Sequence, residues 1–92
     1  MVVGVLQLEL SVPEAMSLKD KRRVVKSLKD RLARHNVSVA EVDQLDEHRL
    51  CTLAVAMVSN DRRFTDSCLS KIVDEVRVAR GISLMDYELE MF

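Results

Sequence analysis

"LCTLAVAMVS", residues 50–59, is the stretch that decides the fold. Leu53, Val55 and Met57 alternate with Ala54, Ala56 and Val58, so an extended segment here is apolar on both faces. Such a strand needs cover on two sides, which places it in the centre of a sheet rather than at an edge. Upstream, residues 2–12 alternate instead: Val2, Leu6, Leu8, Leu10 and Val12 point one way, and Gln7, Glu9 and Ser11 the other. That is a half-buried strand, and Pro13, with no N–H for a ladder, stops it. Val37 to Asp43 reads as another strand, mixed on both faces, and the "QLDEHR" turn joins it to the central one. From Ile82 to Phe92 the alternation returns, with Met85, Tyr87, Leu89 and Met91 against Asp86, Glu88 and Glu90.

Two segments with helical period separate these strands. Ser17 opens the first as N-cap, and Asp20 three residues on completes a capping-box-like pattern; Asn36 is its stop. In the second, "SND" at 59–61 offers several N-caps. Leu69, Ile72, Val73, Val76 and Ala79 form its apolar stripe, and Gly81 suits the C′ position. The order is βαββαβ. With right-handed crossovers it predicts an α+β fold, the ferredoxin-like plait: a four-stranded antiparallel sheet of order 4-1-3-2 with both helices on one face. Ninety-two residues suffice for one modest core, hence a single domain over 1–92.

The first helix is unusual in its charge. "SLKDKRRVVKSLKDRLARH", residues 17–35, carries eight Lys/Arg and two Asp, whereas the whole chain has 14 Lys/Arg, 15 Asp/Glu and a net charge of −1. At about 100° per residue, Leu18, Val25, Leu28 and Leu32 share one face, directed at the sheet. Lys19, Arg22, Arg23, Lys26, Lys29 and Arg34 share an adjacent arc in which Asp30 is the only acid. Lys21 projects nearer the apolar face, where its stem packs while its ammonium snorkels to water. A one-sided cationic arc fits an anionic partner, foremost an RNA backbone. It also fits a solvated face whose cations pair with the acidic remainder of the chain. A membrane surface is disfavoured, because the helix has no aromatic or apolar wedge to insert. The sheet is a poor RNA platform: the only aromatics are Phe64, Tyr87 and Phe92, and Glu9, Asp86, Glu88 and Glu90 fall on its expected open face. Any RNA would therefore lie along the helix and be read through its backbone.

Other residues exclude more than they assign. No apolar run approaches the roughly 18 residues of a membrane span, and the first residues show no signal-peptide pattern. Cys51 and Cys68 stand apart without a CxxC spacing, as reduced thiols of a cytoplasmic protein do. "EVDQLDEHR", 41–49, gathers four carboxylates and His48, a composition shared by solvated turns and oxygen-rich cation sites. Zinc wants a tighter His/Cys set, and no metal is assigned. His35 reads as a helix C-terminal residue facing the dipole. With two glycines and no nucleophile elbow, P-loop or Cys–His arrangement, the chain offers no catalytic residue and implies no cofactor. Val3, Val5, Ala54, Ala56 and Val58 are expected together on the sheet face opposite the helices, an apolar strip suited to self-association.

"SLKDKRRVVKSLKDRL", "NVSVAEVD" and "AVAMVSND" together resemble the YlxP-like family of small bacterial proteins, over essentially the whole chain. The resemblance implies a ferredoxin-like domain of unknown function. Genes of that family often lie near those of a translation initiation factor and a ribosome-binding factor, which implies a link to RNA or the ribosome. Ser17, Lys19, Lys21, Arg22, Glu41 and Asp43 match recurrent positions of the family. Where many relatives carry His-Gln-Asp and then Trp after Asp43, this chain reads Gln44, Leu45 and Asp46, with His48 near the Trp position. Two functions are thus expected. In one, a cytoplasmic, non-enzymatic module engages RNA or a ribosomal particle through residues 17–35; in the other, a homo-oligomer associates through the apolar strip and the helix is merely solvated.

Overall fold

The structure, a computed structural model, describes residues 1–92. Its elements are β1 (Val2–Ser11), α1 (Leu18–Ala33), β2 (Ser38–Asp43), β3 (Leu50–Ser59), α2 (Arg62–Arg77) and β4 (Ser83–Met91). The strands form one antiparallel sheet in the order β2-β3-β1-β4, the expected plait. β3, apolar on both faces, sits inside the sheet between β2 and β1.

Alternation along β1 sets the layers. Leu6, Leu8 and Leu10 are fully buried, while Val3, Val5 and Glu9 on the other face are partly open to solvent. Both helices cover the buried face. Val25, Leu28 and Leu32 of α1 join Leu69, Ile72 and Val76 of α2 over Leu53 and Val55 of β3 in one continuous core. α2 lies against β1, β3 and β4, and α1 against the β2 edge. Gly4 permits the close approach of α2: a Cβ there would collide with Thr65 Cγ2 and stand 2.8 Å from Leu69 Cδ1. Thr65 is held in place by a 2.6 Å hydrogen bond with the Ser59 hydroxyl.

Local signals acted as read at most boundaries. Ser17 Oγ accepts from the Asp20 amide at 3.1 Å, and Asp20 Oδ2 accepts from the Met16 amide at 3.0 Å. Asn36 leaves the helical region with φ 60°, just past the C-cap Arg34. Two expectations fail. α2 ends at Arg77 with Val78 as C-cap, so Gly81 (φ 80°) serves the turn into β4 rather than C′. Ala79 remains buried although it lies beyond the helix, its amide bonded to Val76 O at 3.1 Å. In β4, Glu9 pairs with Asp86 but Leu10 pairs with Leu84. Met85 is the extra residue of a bulge and is exposed, not part of the alternating apolar face.

Candidate nucleic-acid interface

The cap at Ser17 and the buried stripe of α1 fix its rotation, which turns the basic arc to solvent. Lys19, Arg22, Arg23, Lys26 and Arg34 are exposed. Lys29 is half-buried. Two of these six cations have acidic partners. Arg23 meets Asp20 at 3.0 Å and Lys26 meets Asp30 at 3.0 Å, both pairs on the surface of the helix. Asp30 is therefore not the only neutralising acid, since Asp20 bends back to the arc as well. Lys19, Arg22, Lys29 and Arg34 have no carboxylate within ion-pair distance.

Lys21 does not snorkel. Its side chain is 1% exposed, and Nζ donates to the carbonyls of Gln44 at 2.7 Å, Glu47 at 2.6 Å and Leu50 at 2.9 Å. Those three acceptors use the three hydrogens of the ammonium. Glu41 Oε2, 2.9 Å away and also buried, balances the charge without an aligned hydrogen bond. The loop between β2 and β3, with Gln44 at φ 63°, thus closes around a cation delivered by α1. A cluster of inward carbonyls overrides the cost of burying the ammonium, which outward snorkelling would have avoided. Next to this pair, burial pushes the Cys51 thiol from its usual 9.0 up to about 12; the Glu41 carboxylate adds to the rise and the Lys21 ammonium opposes it. Cys51 is accordingly an inert core thiol.

His35 also differs from expectation. Its Nε2 lies 2.6 Å from Glu75 Oε2, tying the end of α1 to α2 rather than merely facing the dipole. The acidic turn at 41–49 spends Glu41 on Lys21, and no three His, Cys, Asp or Glu side chains in the chain converge as metal ligands.

The open sheet face has the opposite character. Register sets Glu9 beside Asp86, Gln7 beside Glu88 and Val5 beside Glu90, an acidic margin along β4. Toward β3, Val3 pairs with Val58, Val5 with Ala56 and Gln7 with Ala54, which brings the five expected apolar residues into one strip. Val58 is the most exposed of them, at 65%. The molecule therefore presents cations on α1 and carboxylates on the sheet.

Sequence reasoning missed Arg31 and Arg80. Arg31 lies on the far flank of α1, beyond Ser27, and Arg80 belongs to the turn between α2 and β4; both line a groove with Arg23. Helical spacing from Arg23 and Ser27 could have pointed to Arg31. Nothing local could have pointed to Arg80, which only the chain topology brings to α1.

A profile of the family described as "Protein of unknown function (DUF503)" matches residues 3–89. The chain belongs to that family. No curated protein matches the sequence. Solved structures similar to this DUF503 chain include the de novo designed protein Foldit4, with TM-score 0.57, 12% identity, and coverage of 100% of this chain and 97% of that one. A de novo designed protein with a ferredoxin fold, solved by NMR, gives TM-score 0.56 at 12% identity, covering 100% of this chain and 84% of that one. An antibiotic biosynthesis monooxygenase gives TM-score 0.54 at 14% identity, covering 100% and 96%. At such identities the likeness speaks to the fold, which two designed proteins share with a natural one.

Proposed function

We propose that this DUF503 protein is a YlxP-like, non-enzymatic, single-domain module of the cytoplasm that binds RNA or a ribosomal particle along α1. The observation that carries this reading is the charge on that helix. Four of the six arc cations lack an acidic partner, and the acids that outnumber them over the rest of the chain are concentrated in part on the opposite face of the sheet. Phosphate is drawn to α1 and repelled from the sheet, so a polyanion has one side from which to dock. The cations are long, flexible and without neighbouring aromatics, which suits contacts to backbone rather than bases.

Replacing Arg22, Arg23 and Lys26 together by Ala tests this reading. All three side chains are exposed, so stability should change by no more than about 0.5 kcal/mol per site. Affinity for a short structured RNA in a low-salt filter-binding titration should fall; equal binding by mutant and parent would remove the proposal. A second reading, self-association through Val3, Val5, Ala54, Ala56 and Val58, is supported by the register that aligns them and by the exposure of Val58.

A further inference from the structure

The groove beside the basic arc has features that a solvated helix face does not explain. It is lined by Arg23, Val24, Ser27 and Arg31 from α1 and by Arg80 and Gly81 from the turn before β4. Gly81 lies over Val24, where a Cβ would make an ordinary contact with Val24 Cγ1 at 3.7 Å. Its φ of 80° is a left-handed conformation that suits glycine. Three arginines thus line one depression, and the single carboxylate paired with any of them is Asp20, on Arg23. Arg31 and Arg80 have none within ion-pair distance.

Arg31 supplies the second, independent observation. Its Nε is shielded from solvent and has no hydrogen-bond partner. A buried donor left unmade loses its water without compensation, so native proteins seldom keep one unless something else satisfies it. Arg31 is also one of the residues that line the groove. The Nε–Nη edge of arginine matches two oxygens of a phosphate, and an anion in the groove would gain that edge if the side chain turned toward it. An acidic residue of the chain would have satisfied Arg31 permanently; none is there. The carbonyl end of α1 is electrostatically negative and does not attract anions by itself. Any anion held here is held by the guanidinium groups and the Ser27 hydroxyl.

We propose that this groove is a binding site for one phosphate group, clamped between Arg31 and Arg80 with Ser27 as a further donor. The phosphate would be either a backbone phosphodiester of the RNA proposed for α1, a version that rests on that reading, or a free phosphate.

The experiment follows the Arg31 Nε–Hε and Gly81 amide signals by NMR in the full chain, titrated with sodium phosphate and, separately, with a short RNA duplex. Sodium chloride at matched ionic strength is the control. Saturable shifts of both signals with phosphate, beyond those with chloride, are expected. Arg80→Ala and Arg31→Lys should each weaken phosphate binding by about tenfold, the latter because lysine keeps the charge but loses the fork. Retained dispersion of the remaining amide signals will show that both variants fold. If RNA shifts the same two signals and Arg80→Ala weakens RNA binding, the phosphate is the backbone's. If phosphate binds but RNA does not, the groove stands as a site for free phosphate and the reading of α1 as an RNA face fails. RNA binding that leaves both signals in place, with no saturable response to phosphate, would overturn the groove and spare α1. Phosphate shifts that survive both substitutions unchanged would overturn it too, and so would the absence of any response to either probe.

Discussion

At the scale of single residues, the buried Lys21 is the most consequential side chain in α1. Its ammonium satisfies three loop carbonyls and faces the Glu41 carboxylate. Lys21→Met keeps much of the apolar stem but leaves Glu41 and the carbonyls unpaired in the interior. It should destabilise by about 3–5 kcal/mol, the cost of breaking one side of a buried pair, and adding Glu41→Gln should return part of that loss. Urea unfolding of both variants checks this; a wild-type midpoint for Lys21→Met would mean that the loop closes without the cation. Cys51, alongside, makes stability depend on pH. Its pKa is raised in the folded state, so its contribution is intact below the usual thiol value of 9.0 and is lost as pH rises toward about 12, because only the unfolded chain then releases the proton. Near pH 10.5 the effect should reach about 2 kcal/mol. It should be missing from the difference between the pH profiles of Cys51→Ala and the parent if the thiol titrates alike in both states. Urea midpoints at pH 8 and near pH 10.5 decide between the two outcomes.

At the scale of elements, α1 performs two tasks with one rotation. Val25, Leu28 and Leu32 lock one face against the sheet, and the same locking presents the basic arc to solvent. Leu28 is wholly buried in mid-helix. Leu28→Ala should cost about 2–5 kcal/mol through the lost transfer energy and the cavity left behind. A thermal melt coincident with the parent's would show that α1 is rotated otherwise, and the arc with it. The end of α2 illustrates how weak a single terminal signal is. Gly81 is a plausible helix stop in sequence, yet the chain leaves the helix after Arg77 because the turn must first bury Ala79 and then bring Arg80 beside α1.

At the scale of the whole molecule, the antiparallel plait separates charge. Both helices cover one face of the sheet, so the cations of α1 and the carboxylates of β1 and β4 cannot neutralise one another across the core. If RNA docks along α1, its affinity should fall steeply with salt, at roughly −0.9 in log–log slope for each phosphate neutralised. Three or four cations reaching one backbone would make the slope about −3, with little sequence preference. Self-association through the apolar strip should instead persist or strengthen in high salt. Sedimentation of the protein alone and with a short structured RNA, at low and high salt, measures both. A salt-resistant oligomer with no RNA shift at low salt would replace the RNA reading by the self-association one.

Periodicity alone determined the architecture. The doubly apolar run at 50–59 demanded an interior strand, the alternation at 2–12 demanded a half-buried one beside it, and the cap at Ser17 with the Leu28 stripe set the rotation of α1. Each of these is a local pattern whose period reports which side must leave water. The basic arc was legible for the same reason, since helical geometry turns spacing into a face. The fate of Lys21 was not legible. Whether an ammonium at the margin of an apolar stripe reaches water or turns inward depends on acceptors 23 to 29 residues away, which only the folded loop assembles. Nor was the groove, because Arg80 meets Arg31 through the packing of a turn against a helix distant in sequence. Local spacing decides faces; the convergence of charges from separate elements is decided by the tertiary structure, where desolvation and Coulomb energy depend on neighbours that sequence order does not supply.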